Sequence, residues 1–403
     1  MSDDWAEVQL CEVFAADNTK SGQHDEEPRV LSLSKYDGLV PADEYFDKRI
    51  ASAHLDGYKV VEPEGWAYST IHIDEGSIAR NNLGHSGVIS PMYTTMNWVG
   101  HGHDPRFFEH LLRSPALLSL YRDSAQGTVN RRRSLPFATF AALRVVVPPL
   151  PMQGRIVDLI DHLDDHLANL RAERASADSV LDVVRSFVPE GPDRPIGDLV
   201  LGIDSGRSPL TDGEVPITGE PRILKLSAVR PGLFDATEAK RLSAVHGMPG
   251  STLVGEGDVL VTRSNTPDRV GYCARARGVP VETYLPDLIW RVRLDTKECD
   301  ADYFEQVLSS RLGRALVTNA ASGTSQSMRK INKAGFSSLA IPLPSLGEQR
   351  RYAGDALAVW ETVLTIDREV RALSRVRNAV LHSLLTRSVE IPESYDSSVG
   401  EAV

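Results

Sequence analysis

Cysteine is nearly absent. The 403 residues hold three, Cys11, Cys273 and Cys299. They lie too far apart for a metal knuckle or a Cys-x-x-Cys redox pair. That spacing argues for a reducing, cytoplasmic setting. No run of about 18 apolar residues occurs, so no membrane span is expected. The opening Met1-Ser-Asp-Asp-Trp5 is acidic and unlike a secretory signal. Positive charge is also short: 44 Lys and Arg face 55 Asp and Glu, a formal net of −11. This deficit argues only mildly against nucleic acid, because phosphate attraction depends on local basic surface. The basic clusters are Arg131-Arg132-Arg133, Arg329-Lys330 with Lys333, and Arg222 with Lys225. Enzyme signatures are missing too: no Gly-x-x-x-x-Gly-Lys-Ser/Thr phosphate loop, no Asn/Asp-Pro-Pro-Tyr/Phe tetrapeptide, no His-Glu-x-x-His. His101 and His103 near Asp104 form a polar loop sooner than a metal site. No catalytic residue, cofactor or metal is expected.

What is present is a repeat. Phe108 matches Phe304 at a shift of 304 − 108 = 196 residues. The same shift matches Glu109 with Glu305, Gly127-Thr128 with Gly323-Thr324, Arg133 with Arg329, Phe140 with Phe336, Pro148 with Pro344 and Gln153 with Gln349. Further upstream, Lys48-Arg49 matches Lys240-Arg241 and Gly65 matches Gly257 at 257 − 65 = 192. The change of shift implies four extra residues between about Thr70 and Phe107, assigned to the first half. Two similar halves suit a protein that reads two things at a fixed separation better than one that cuts a bond.

Each half ends in a heptad helix. In the first, Ile156, Ile160, Leu163, Leu167, Leu170, Arg174, Ala177, Leu181, Val184 and Val188 alternate spacings of four and three. Only Arg174 is not apolar. In the second, Tyr352, Ala356, Val359, Val363, Ile366, Val370, Leu373, Arg377, Val380 and Leu384 do the same around Arg377. Such narrow stripes are coiled-coil seams. Each is about 50 Å long at 1.5 Å per residue. The two are expected to pack on each other, with Leu163 and Leu167 against Val363, Ile366 and Val370. The competing use of each seam is homo-oligomerisation. Pro189 and Gly191-Pro192 end the first helix.

Ahead of each helix the pattern is α+β. Strands are expected at Arg29–Leu33, Leu143–Val147, Ile223–Leu226, Val259–Arg263 and Leu288–Leu294. Helices are expected at Pro105–Ser119 and Ala301–Ala315. The tail from Glu390 is polar and expected to be disordered.

The ends of the repeat carry a family resemblance. Ile341-Pro-Leu-Pro-Ser-Leu-Gly-Glu-Gln-Arg-Arg351 precedes the second heptad helix, and Gly323-Thr-Ser-Gln-Ser-Met-Arg-Lys-Ile331 and Gly257-Asp-Val-Leu-Val-Thr-Arg263 lie upstream. The first half has Tyr58-Lys-Val-Val61, Val88-Ile-Ser-Pro-Met-Tyr93 and Val147-Pro-Pro-Leu-Pro-Met-Gln-Gly-Arg155. From about residue 6 to 387 the chain resembles the DNA-specificity subunit of type I restriction-modification systems. It departs at Met152-Gln153-Gly154-Arg155, where the family usually has Glu-Gln-Arg. That departure bears on how the first helix starts.

The resemblance implies two α+β target-recognition domains in a pseudo-two-fold repeat, separated by two long antiparallel coiled-coil helices. The expected boundaries are residues 1–151 for the first recognition domain, 152–190 for its helix, 191–346 for the second domain, 347–389 for its helix and 390–403 for the tail. The partners implied are double-stranded DNA carrying a split target, two methyltransferase subunits and, optionally, two restriction subunits. Helix length would set the gap between half-sites. The competing reading is a coiled-coil assembly scaffold that reads no DNA. DNA-contact candidates are polar loop residues able to reach phosphates or base edges: Lys35, Tyr36, Arg80, Asn81, Asn130, Arg131, Arg132, Arg133, Arg263, Ser264, Asn265, Gln326, Arg329 and Lys330. Arg133 and Arg329 have an alternative use as partners of a carboxylate in their own domain.

Overall fold

The computed structural model describes residues 5–23, 29–35, 37–45, 55–126, 133–211, 213–242, 248–322, 328–392 and 395. The chain forms two compact units. One comprises residues 1–168 with 371–403, the other residues 169–370. Each unit therefore contains part of both long helices.

In the first unit a four-stranded antiparallel sheet runs in the order Phe14–Asp17, Tyr93–Trp98, Trp66–Ser69, Ile78–Arg80. Its core is aromatic. Phe14 meets Trp66 edge-on at 5.1 Å and Trp98 at 5.3 Å, and Tyr68 stacks on Phe140 at 5.1 Å. Such pairs add to the hydrophobic gain of burying large rings. The strand Ala6–Gln9 pairs with Arg144–Val147, directly ahead of the first long helix, Leu150–Ser186. Ile156, Val157 and Ile160 of that helix join this core together with Leu381 and Leu384 of the second long helix, Leu346–Leu385. Ile391 is buried in the same cluster and Tyr395 packs on it. The start of the tail is therefore anchored by apolar side chains, contrary to expectation.

The second unit repeats the plan. Its sheet runs Val200–Ser205, Ile289–Leu294, Val259–Thr262, Cys273–Arg275. Its core holds Trp290, Tyr303, Phe304, Phe336 and Tyr352. Arg194 and its neighbours Asp193 and Pro195 pair with Ala340–Pro342 ahead of the second long helix.

The repeat extends to the backbone. Pro115–Ser124, Phe137–Ala141 and Tyr93–Trp98 recur as Arg311–Ala320, Lys333–Ser337 and Ile289–Leu294, all at 196. Trp66 pairs with Met96 and Val259 with Val292, so the shift there is 259 − 66 = 193. The left-handed turn residues ahead of those strands are Glu64 and Gly257. The structural counterpart of Gly257 is therefore Glu64, not the Gly65 that the sequence repeat pairs with it. The assignment of the extra residues was reversed as well, since a shift that rises along the chain means a longer second half.

Each expected single helix is two. Pro105–Leu112 ends before Pro115–Ser124, and Ala301–Ser309 before Arg311–Ala320. Ser114 and Ser310 start the second member of each pair, their hydroxyls accepting from Leu117 N–H and Gly313 N–H. Serine competes for backbone donors and so breaks an apolar run that periodicity alone would continue. A Cβ at Gly313 would sit 2.2 Å from the Val307 carbonyl, so this turn requires glycine.

Both long helices are tied down by a buried glutamine. Asp104 N–H donates to Gln153 Oε1 (2.8 Å), and Gln153 Nε2 donates to the Pro148 carbonyl (2.8 Å). In the second unit Asp300 N–H donates to Gln349 Oε1 (2.8 Å), and Gln349 Nε2 donates to the carbonyls of Pro344 (2.9 Å) and Glu298 (3.0 Å). The second helix adds a capping box, with Glu348 accepting from Ser345 N–H (3.1 Å) and hydroxyl (2.7 Å). The first helix has Pro149 and Met152 at those positions yet still begins at Leu150. Its departure from the family pattern leaves the start in place.

All twenty seam positions are buried or half-buried. Their partners differ from expectation. In the first unit Leu163 groups with Val380, Leu381 and Leu384. In the second, Val363 groups with Leu181, Ala356 and Trp360. The polar members set these registers. Arg377 donates to both oxygens of Asp164 (2.9 and 2.7 Å), and Arg174 donates to Asp367 (2.8 Å). In the second unit Tyr352 O–H donates to the Arg185 carbonyl (3.0 Å) while Arg174 meets Asp367, so the helices run antiparallel there. Asp164 beside Arg377 places the partners of Leu163 beyond Val370, in the last turns of the second helix.

Gln349→Ala leaves a buried N–H and two carbonyls without partners, at about 1–3 kcal/mol for each group left unsatisfied. The urea midpoint should fall clearly; an unchanged midpoint contradicts the lock. Leu181→Asp puts an unpaired carboxylate against Trp360 and Val363 and should cost about 3 kcal/mol or more. A wild-type melting curve for it contradicts the seam.

Candidate nucleic-acid interface

The two halves carry the same stem. In the first unit Gln126 and Ser134 exchange two backbone hydrogen bonds of 2.9 Å; in the second, Ser322 and Lys330 exchange bonds of 2.8 and 3.0 Å. These bridges close the segments that carry the repeated Gly-Thr. Asn130, Arg131, Arg132 and Gln326 lie in them and fall outside the described residues, as does Tyr36.

Arg133 and Arg329 stand in the stems. Arg133 donates to the Ala125 carbonyl (3.1 Å) and Arg329 to the Ala321 carbonyl (3.3 Å), again 196 residues apart. The alternative of a carboxylate partner is corrected: both acceptors are backbone oxygens. A carbonyl neutralises no charge, so each arginine keeps a net positive charge for an outside anion.

In the second unit the stem pairs with the other candidate segment. Ser264 lies opposite Lys330 and Asn265 opposite Arg329 in a short antiparallel ladder. The Arg263 guanidinium has no acidic partner among the described residues, and its Nε is buried without an acceptor. Lys330 is exposed. Asn265 Oδ1 accepts from Thr266 N–H (2.9 Å). Ser264 is fully buried, which removes it from the contact surface.

The first-unit candidates fare differently. Asn81 is 0% exposed, its amide donating to the carbonyls of Val61 (3.0 Å), Glu62 (3.1 Å) and His85 (2.9 Å) and accepting from Leu83 N–H (3.2 Å). Its expected role at DNA is corrected to that of a turn anchor. Arg80 is spent on Glu64 and Glu109. Lys35 is exposed, 3.6 Å from Glu75. Elsewhere in the second unit the arginines are also internally used: Arg277 pairs with Asp302 (2.8 Å) and the fully buried Glu305 (3.0 Å).

His103 takes a hydrogen bond from Gln153, and Asp104 caps the helix that begins at Pro105, so that loop serves the fold. Among the described residues His110, Asp161 and Asp164 come close enough to share a cation. The Arg377 guanidinium already sits there, 3.1 Å from His110 Nδ1 and bonded to Asp164. The hydrogen bond from His110 holds the Asp161 carboxyl below its ordinary range.

No family model matches the chain. Over 314 residues, 70% of its length, it is 25% identical to the type I restriction enzyme EcoKI specificity subunit of Escherichia coli K12. Over 157 residues, 37% of its length, it is 28% identical to the EcoEI specificity subunit of Escherichia coli. Its relatives are type I specificity subunits. The match spans 64% of the EcoKI subunit and 25% of the EcoEI subunit. The fold is that of type I S subunits. The M. genitalium S subunit superposes with a TM-score of 0.52 at 10% identity, over 95% of this chain and 97% of that one. A chain from a study of complex assembly and conformational transition of the type I R-M system gives 0.51 at 17%, over 96% and 98%.

No described helix is long and apolar enough to cross a membrane. Sequence reasoning missed Arg269, four residues beyond Asn265 in the same turn, and Arg230, which lines the same cleft as Asn265 only through tertiary structure. No local motif marks them.

Asn81→Ala should lower stability by about 2 kcal/mol, because buried carbonyls lose their donor. DNA affinity per folded molecule should stay at the wild-type value. A loss of DNA binding with unchanged stability would restore Asn81 as a contact.

Proposed function

We propose that the chain is the non-catalytic, sequence-specific DNA-binding subunit of a type I restriction-modification system. Each half reads one part of a split target, and the chain recruits two methyltransferase subunits and, optionally, two restriction subunits. It binds no cofactor of its own. The observation that most supports this reading is the ladder of Ser264 and Asn265 against Arg329 and Lys330, flanked by Arg263; among the described residues none of these three cations has a carboxylate partner. The chain carries a formal charge of −11, and many of its arginines, Arg80, Arg277 and Arg291 among them, pair with carboxylates. Cations left unspent on one ladder suit phosphates and base edges. Likeness to specificity subunits points the same way. A scaffold that reads no DNA gives no reason to leave these groups unpaired.

The test is co-expression with the cognate methyltransferase. The pair should yield an assembly of two methyltransferase subunits per chain that methylates adenine at one split sequence. The purified chain alone, with methyl donor added, should transfer nothing. Transferase activity in the isolated chain overturns the non-catalytic reading, and an assembly that methylates without sequence preference favours the scaffold.

A further inference from the structure

Beside the ladder of the second unit lies a cleft of about 720 Å³, walled by Lys225, Ser227, Arg230, Asn265, Arg269 and Tyr272 among others. Its walls contain three cations and no carboxylate. Two clefts of the first unit differ. One of about 580 Å³ includes Asp74 and Glu75 in its wall, and one of about 100 Å³ includes Asp37 and Glu109. Three positive groups in the lining of a recess that no carboxylate lines favour an anion there.

The cations are not equally committed. Lys225 lies 3.8 Å from Glu238, and Arg269 lies 3.3 Å from Asp268, with both members of that second pair well exposed. The Arg269 pair is open enough to be worth little and to exchange readily. Lys225 and Glu238 are half-buried, and Glu238 also accepts from the Ser227 hydroxyl (2.5 Å), so Lys225 is the more committed cation. Arg230 is exposed and has no acidic partner among the described residues.

The wall from Arg269 to Tyr272 is built in advance. The buried Thr262 hydroxyl donates to the Arg269 carbonyl (3.1 Å) and accepts from Tyr272 N–H (3.0 Å). Arg314 donates to the carbonyls of Asp268 (2.9 Å) and Val270 (2.8 Å), and its guanidinium lies 4.7 Å from the centre of the Tyr272 ring. A loop held by these bonds loses little freedom when an anion arrives, which favours binding. Asn265 belongs to both features, as a member of the ladder and of the cleft wall. An anion in the cleft therefore lies next to whatever the ladder contacts.

We propose that this cleft seats a backbone phosphate of the DNA duplex, with Arg230 as its principal ligand and Lys225 and Arg269 beside it. The inference rests on the DNA-reading function and adds a division of labour. The ladder faces the bases while the cleft holds the strand in place without reading it. A planar guanidinium suits a phosphate through two parallel hydrogen bonds.

The test compares the 403-residue chain with Arg230→Gln, Arg230→Lys and Arg263→Gln variants. Each is titrated against double-stranded DNA of several sequences over a range of NaCl concentrations. Losing one phosphate contact should lower the magnitude of the slope of log affinity against log salt by about 0.9. Arg230→Gln should show that drop, weaken all duplexes alike and leave sequence preference unchanged. Arg230→Lys should keep the slope. If Arg230→Gln keeps the wild-type slope while Arg263→Gln weakens binding, the cleft proposal fails and the DNA reading stands. A change of sequence preference with the slope unchanged makes Arg230 a base reader and also overturns it. ATP that binds the wild-type chain and is lost with Arg230→Gln, while the DNA slope is untouched, assigns the cleft to a free nucleotide. No DNA binding by the wild-type chain at any salt removes the underlying reading itself.

Discussion

A buried primary amide joins each globular body to its long helix. Gln153 and Gln349 are 0% and 1% exposed, and each accepts from the N–H of an aspartate that caps the next short helix. Each also donates to a carbonyl five residues back in its own chain. One side chain thus binds the cap, the proline run and the helix together. Glutamine suits the place because it offers donors and an acceptor at once without carrying charge. An acid there would bring an unpaired charge, and an apolar residue would strand the backbone groups. Any function that depends on the direction in which a recognition loop points relative to its helix depends on this amide.

The seams follow a second constraint. Apolar side chains supply most of the burial, but they slide past one another at small cost. Arg377 with Asp164, and Arg174 with Asp367, do not slide, because a half-buried guanidinium without its carboxylate is expensive. In each unit one ion pair selects the register that the leucines and valines then fill. This is the known use of a polar residue within a heptad seam.

Much of the architecture was legible. The repeat, the heptad helices and the strands Val259–Thr262, Ile289–Leu294 and Arg144–Val147 follow from spacing, because burial on one face imposes a period on the side chains. Where local hydrogen bonding competes with that period, the pattern misled. Ser114 and Ser310 divide helices that hydrophobicity would run together, and Ile391 holds a tail that composition marks as polar. The pairing of Leu163 with Val363 failed for a related reason: a seven-residue repeat looks the same at every register, and only the arginines distinguish one from another.

Taken alone, the sequence established two similar halves, each an α+β body on a long helix with an apolar seam, because periodicity and repetition are properties of the chain itself. Tertiary structure decided which polar residues remain free. Asn81 and Asn265 are the same amide in similar polar loops, yet one is enclosed by three carbonyls and the other borders an acid-free cleft. Arg80 and Arg263 differ in the same way, since Glu109 reaches the first and no described acid reaches the second. The partner of a polar side chain comes from segments tens of residues away, and no local pattern records that distance.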